Sequence, residues 1–128
     1  MITEQPDFDL SKLGNLFRKR EDWTKEETLK ELQYWRENTD FLILISETTE
    51  GIDGYLIGYR NRHSLWIYDV WRKSGSDLAI SRKAFEMTKD WARKRGMTSI
   101  TGETKRNEMK AVKRYGFVED SVVIKCLL

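Results

Sequence analysis

The order of elements in the second half of the chain constrains its fold more than any other feature. A strand-like run over 65–70 (LWIYDV) leads through a Ser/Gly loop into the longest helical pattern of the sequence, over 77–95. A weaker strand over 98–104, a short helix and a last strand over 121–128 follow. Along the long helix Ile80, Ala84, Met87 and Trp91 form one row, and Phe85, Thr88 and Ala92 form the next. Two adjacent apolar rows make a face wide enough to lie across a sheet. Ser76 or Asp77 can cap the start of this helix, Arg93, Lys94 and Arg95 suit its negative end, and Gly96 stops it.

The first third reads helical. Asp9, Leu10 and Ser11 lead into Leu13, Leu16 and Phe17, spaced as one face of a helix. Residues 22–24 interrupt, and Thr24 followed by Glu27 has the spacing of a capping box. Leu29, Leu32 and Trp35 then recur at three-residue steps, and the outward positions hold Lys, Glu, Gln and Arg, a solvated face. The run 41–46 (FLILIS) is too short for a helix and fits a strand buried on both sides. After a turn over 48–54, residues 54–59 return as its antiparallel partner, and a polar turn over 60–63 leads to the next strand. The sequence holds one proline and no repeat or linker, so residues 1–128 are expected to form one α/β domain. Its predicted architecture is a mixed, mainly antiparallel central sheet, with the long helix across one face and the N-terminal helices on the other.

Composition narrows the function classes. Charged residues make up 34% and apolar ones 39%, a globular balance. A net charge of +2 is too small to imply a nucleic-acid partner. The one cysteine, Cys126, excludes an intrachain disulfide and lies in an apolar strand pattern, where it packs as a small hydrophobe. The one histidine, His63, sits in a polar turn without companion metal ligands, and no serine has a histidine partner for a triad. No apolar run approaches the roughly 20 residues that span a bilayer, and the N-terminus lacks a secretory pattern. A cytoplasmic protein without membrane contact is expected.

The strongest chemical candidate is the junction of Val70, Trp71, Arg72, Lys73, Ser74, Gly75, Ser76 and Asp77. A strand that delivers a Ser/Gly loop to a helix N-terminus aims several backbone N–H groups and the helix dipole at one spot, which suits a phosphate or pyrophosphate. Arg72 and Lys73 add positive charge there. Asp77 opposes a phosphate unless it turns away to cap the helix, and a plain capped loop is the alternative reading of the same residues. Candidate general bases are Asp69, Glu103 and Glu47, each on or at the end of a strand. Asp69 alternates with Ile67 and Trp71, which predicts a carboxylate on an apolar sheet face, where burial raises the pKa.

Three features together resemble the GNAT acetyltransferase superfamily: the aromatic strand running into a Ser/Gly loop, the wide-faced helix ending Trp91-Ala92-Arg93-Lys94-Arg95-Gly96, and the short helix closing on Tyr115-Gly116-Phe117 before a final strand. The resemblance implies binding of acetyl-CoA as substrate and transfer of its acetyl group to an amine. In that family the loop reads Arg/Gln-x-x-Gly-x-Gly/Ala. Arg72-Lys73-Ser74-Gly75-Ser76-Asp77 keeps the Arg and first Gly, while the register Ser76-Asp77-Leu78-Ala79-Ile80-Ser81 keeps Ala79 in the place of the first glycine. The resemblance also implies that the pantetheine arm lies between 65–70 and 98–104, and that backbone N–H groups around Asp69 to Trp71 polarise the thioester. The family's helix Asn and its Tyr acid correspond to Lys105 and Val112 here, with Asn107 two residues late and Tyr115 in the place of a core aliphatic. Val70, Trp71 and Arg72 followed by Ser74 and Gly75 are also similar to short phage-encoded members. These imply an alternative, a non-catalytic protein-binding module, viral structural or host-interacting, on the same scaffold.

Overall fold

The computed structural model describes residues 1–16, 24–73, 78–103, 118–120 and 123–128. In chain order they form β1 (Ile2–Glu4), a 3-10 helix (Leu10–Leu16), α1 (Lys25–Asn38), β2 (Phe41–Thr48), β3 (Gly51–Asn61), β4 (Ser64–Arg72), α2 (Leu78–Lys94), β5 (Ser99–Glu103), β6 (Val118–Asp120) and β7 (Val123–Leu127). The strands make one seven-stranded sheet in the order β1-β2-β3-β4-β5-β7-β6. Every neighbouring pair is antiparallel except β4 and β5. That pair is parallel because α2 carries the chain from the end of one strand back to the start of the next, and only a crossover can do so. This is the mixed, mainly antiparallel sheet expected from the sequence.

The two faces of the sheet hold separate cores. Leu42, Leu44, Leu56, Leu65 and Ile100 point to the face covered by α2, where they meet Phe85, Trp91 and Ala92. Trp91 is 6% exposed and its indole N–H donates to Glu4 Oε1 at 3.2 Å, while the Arg95 guanidinium lies 3.9 Å from its ring centroid. Met87 is partly buried at the margin of this core, and Cys126 is buried within it. On the other face Ile43, Ile45, Tyr55 and Ile57 pack against Leu10, Leu13 and Leu32 from the N-terminal helices. Strand β2 is therefore buried on both sides, as its unbroken apolar run predicts.

Helix ends follow the sequence signals. Thr24 caps α1, its Oγ1 accepting from the Glu27 amide at 3.1 Å. At the other end of α2, Met97 N–H reaches Ala92 O and Gly96 N–H reaches Arg93 O, both at 3.0 Å, with Gly96 at φ 72°. This is a Schellman closure, and its left-handed residue is the glycine that stops the helix.

Three expectations change. The first helix is a 3-10 helix, because Leu10 and Leu13 reach the core at a three-residue repeat, which stacks side chains in that geometry; Phe17 lies outside the described residues. Strand β1 is an added edge, held by pairing Ile2 with Ser46 and Glu4 with Leu44. The end of the chain contains two strands: β7 is shorter than the predicted 121–128 run, and β6 pairs with it through Val118–Lys125 and Asp120–Val123. Among the described residues no helix is long and apolar enough to cross a membrane.

Candidate functional site

The pairing of β3 with β4 slips between Ile57 and Gly58. Ile57 faces Asp69 but Gly58 faces Ile67, so Tyr68 is the extra residue of a β-bulge. A Cβ on Gly58 would meet Trp66 O at 3.0 Å and Leu65 Cδ1 at 3.2 Å, which explains why glycine stands opposite the bulge. The extra residue also breaks the alternation expected for Asp69. Ile67 packs with the α2-side core, whereas Tyr68 and Trp71 pack with the other. Asp69 therefore shares a face with Trp71 and not with Ile67, because cross-strand partners point the same way and Asp69 lies opposite Ile57.

The bulge lies where the sheet opens. Strands β4 and β5 pair from Ser64–Ser99 to Ile67–Gly102. Beyond that, β4 continues to Arg72 against β3, and β5 follows β7 through Glu103–Val123. A wedge is left between them. The Lys73 amide donates to Asp53 O at 2.8 Å on the β3 side. Backbone groups alternate along a strand, so the amides of Val70 and Arg72 face the wedge. Val70 and Arg72 lie opposite Leu56 and Gly54, on the α2 side. Val70 is 57% exposed there, an apolar side chain left uncovered beside the sheet's opening.

The opposite side of the bulge is aromatic and acidic. Tyr55 donates its hydroxyl to Asp69 Oδ2 at 2.7 Å, and its ring stacks on Trp71 with centroids 6.0 Å apart. Tyr68 donates to Glu31 Oε2 at 3.3 Å, and Glu31 Oε1 also accepts from the Trp35 indole at 3.4 Å. The Tyr59 ring lies between, stacked on Trp35 at 4.1 Å and 6.4 Å from Tyr68. Burial first, and then the Glu31 carboxylate, hold the Tyr68 phenol well above its ordinary pKa, with Asp69 adding to the effect.

The predicted site residues separate as follows. Asp69, Val70, Trp71, Arg72 and Lys73 all lie on the last part of β4 and just after it, at the wedge. Lys73 Nζ is 3.9 Å from Glu50 Oε2 at an exposed position, and its amide is already bonded to Asp53. Glu103 ends β5, one residue past the last β4–β5 pair, across the wedge from Asp69. Ser74, Gly75, Ser76, Asp77, Asn107, Val112 and Tyr115 lie outside the described residues. Glu47 is not brought to this place. It lines a cavity of about 540 Å³ with Gln5, Asp7, Asp9 and Lys12 at the β2–β3 hairpin end. His63 is an exposed turn residue whose carbonyl accepts from Thr98. Glu31 is absent from the predicted set, because on α1 it reads as part of the solvated face. Its contact with Tyr68 spans 37 positions, and the only local sign is Trp35 one turn further on.

No protein-family model matches the sequence, and no curated protein matches it significantly. Solved structures do match its fold. One is an acetyltransferase of the GNAT family from Staphylococcus aureus, 15% identical, covering 100% of this chain and 98% of that one with a TM-score of 0.71. Another is an IAA acetyltransferase from Bacillus cereus, 11% identical over 100% and 99% of the two chains, with a TM-score of 0.72. A third is the PaiA N-acetyltransferase of Thermoplasma acidophilum in complex with coenzyme A, 16% identical over 85% of this chain and 74% of that one, TM-score 0.65. An α2 crossover, one parallel seam and a wedge beside a bulged strand are thus set in a sheet that superimposes on these proteins along its length, and the chain has the fold of the GNAT acetyltransferases.

Proposed function

We propose that this protein transfers an acetyl group from acetyl-CoA to an amine. The wedge between β4 and β5 carries the reading, since it leaves two strand amides and an exposed Val70 facing a gap inside an otherwise paired sheet. A pantetheine arm is a chain of amides with apolar links, and it suits such an edge as an added strand does. Val70 supplies the apolar contact. Arg72 and Lys73 stand where the wedge meets the loop before α2, and in this reading Ser74, Gly75, Ser76 and Asp77 complete a pyrophosphate cradle with the helix dipole. Asn107 belongs to the same set. The complex of the Thermoplasma protein with coenzyme A supports the choice of donor.

Bound acetyl-CoA supplies an activated thioester. The amine nitrogen attacks its carbonyl carbon, a C–N bond forms, the C–S bond breaks and the thiolate leaves. The Val70 amide, on the wedge edge, is the donor for the carbonyl oxygen as negative charge develops. Asp69, across the bulge on the opposite face, takes the proton that the attacking amine loses, with Glu103 as the second base. Val112 stands where the family has its tyrosine acid, so the thiolate takes its proton from water. A thiolate with a pKa of about 8.5, the cysteine reference, leaves without a side-chain acid. A cytoplasmic location belongs to this reading.

Calorimetry with coenzyme A tests the donor site, and mass spectrometry of an amine panel tests the transfer. Coenzyme A at 100 times its Kd should stabilise the protein by about 2.7 kcal/mol, and Lys73→Ala should weaken the binding. Absence of binding at millimolar coenzyme A would overturn the reading. Binding without any acetylated product would favour the protein-binding module.

A further inference from the structure

Tyr55 sits in the core on the face packed by the N-terminal helices, with 4% of its surface exposed. Its place is set from both sides of β3. Ile45 stands opposite it on β2, and Trp71 stands opposite it on β4, the two rings stacked at 6.0 Å and 27°. Asp69 lies two residues before Trp71, so it is the diagonal neighbour of Tyr55, within reach of a long side chain. The bulge at Tyr68 makes this meeting possible. Without the extra residue, Asp69 would follow Ile67 onto the α2 face, and Tyr55 would meet none of its carboxylate. As folded, the Tyr55 hydroxyl donates to Asp69 Oδ2 at 2.7 Å, short enough for a charge-assisted bond.

A phenol that donates to a carboxylate favours its ionised form, whereas burial and neighbouring acids favour the protonated one. On this side of the sheet the described acids are Tyr59 of β3, Tyr68 of β4 and Glu31 of α1 behind it, and Glu103 ends β5 across the wedge. Arg36 of α1 donates to Phe8 O at 2.9 Å and lies over the Phe41 ring, and Lys12 of the 3-10 helix lines the cavity beside Glu47. A general base must be ionised to accept a proton, and it must be aimed. The Tyr55 bond serves both needs, because its donor rides on a ring that the core holds still.

We propose that Tyr55 is a positioning residue of the reaction, its hydroxyl keeping the Asp69 carboxylate ionised and fixed in place to take the proton of the attacking amine. This inference rests on the acetyl-transfer reading, but the state of Asp69 can be measured without turnover.

Tyr55→Phe keeps the packed ring and removes only the donor. The first arm is a carbon NMR titration of protein labelled at the aspartate carboxyl carbons, with the Asp69 signal identified by its loss in Asp69→Asn. In Tyr55→Phe the pKa of Asp69 should rise by about one unit, the order expected for one lost bond to the charged form. An unchanged value would overturn the proposal even where amines are acetylated. The second arm is the pH profile of kcat with saturating acetyl-CoA and an amine that the panel shows to be acetylated. Its acid limb should move to higher pH by the same amount, so that activity at the acid end falls about tenfold and recovers as pH rises, with the KM for acetyl-CoA unchanged. An equal loss at every pH would mark a structural role and overturn the proposal. If no amine is acetylated, the acetyl-transfer reading fails and takes the catalytic role of Tyr55 with it, whatever the first arm shows of the bond itself.

Discussion

The Tyr68 hydroxyl is half-buried against Glu31, and both burial and that carboxylate disfavour its anion. An ordinary tyrosine ionises at pH 10.0. In the folded protein the phenol keeps its proton above that pH, whereas the unfolded chain releases it. The contribution of Tyr68 to stability is therefore fully present below pH 10 and is lost as pH rises through and beyond it. Near-ultraviolet absorbance titration should show that Tyr68→Phe deletes no phenolate step around pH 10 from the folded protein, yet deletes one from the unfolded protein. Denaturation curves should show a shallower loss of stability above pH 10 for the variant. Equal alkaline slopes would remove the buried, acid-facing environment assigned to this residue. Glu31 shows why part of the site was hidden at this scale. Its neighbours in sequence are charged and exposed, and only a partner on another element turns it inward.

Two elements give their own measurements. Helix α2 was legible because its two apolar rows are a local pattern, and Trp91 is the deepest test of it. Trp91→Ala removes a 6%-exposed indole, its bond to Glu4 and the Arg95 contact, and should cost about 3–5 kcal/mol in urea denaturation followed by circular dichroism. Strand β4 was only partly legible. A period-two reading of 65–71 has no means of seeing one inserted residue, so it joined Asp69 to Ile67, and the bulge separates them. Gly58→Ala tests the bulge directly. The new methyl would press on the Trp66 carbonyl, which is backbone and cannot swing aside. A loss of about 1–3 kcal/mol is expected, the usual range for overpacking, and a neutral result would show that the close approach is not required.

At the scale of the whole molecule, what could be read in the sequence was what neighbours in sequence create. The run 41–46 appears as a strand buried on both sides because both of its faces meet a core. Strand β1 could not be read, since Ile2–Glu4 becomes a strand only by lying along β2, and β6 likewise depends on β7. The wedge is a product of topology, arising where one parallel ladder stops, and no local pattern in the sequence announces it. That ladder has a further consequence. The meander of β2, β3 and β4 closes through short turns, whereas Ser64 must find Ser99 across 35 positions. Closing the longer loop costs more entropy, so the joint is expected to form later than the meander, which pulsed hydrogen exchange during refolding would check. The finished sheet is two antiparallel leaves sewn together by four residue pairs. A ligand of the kind proposed for the wedge would extend that stitching, joining the two leaves beyond the last pair of the ladder, Ile67–Gly102.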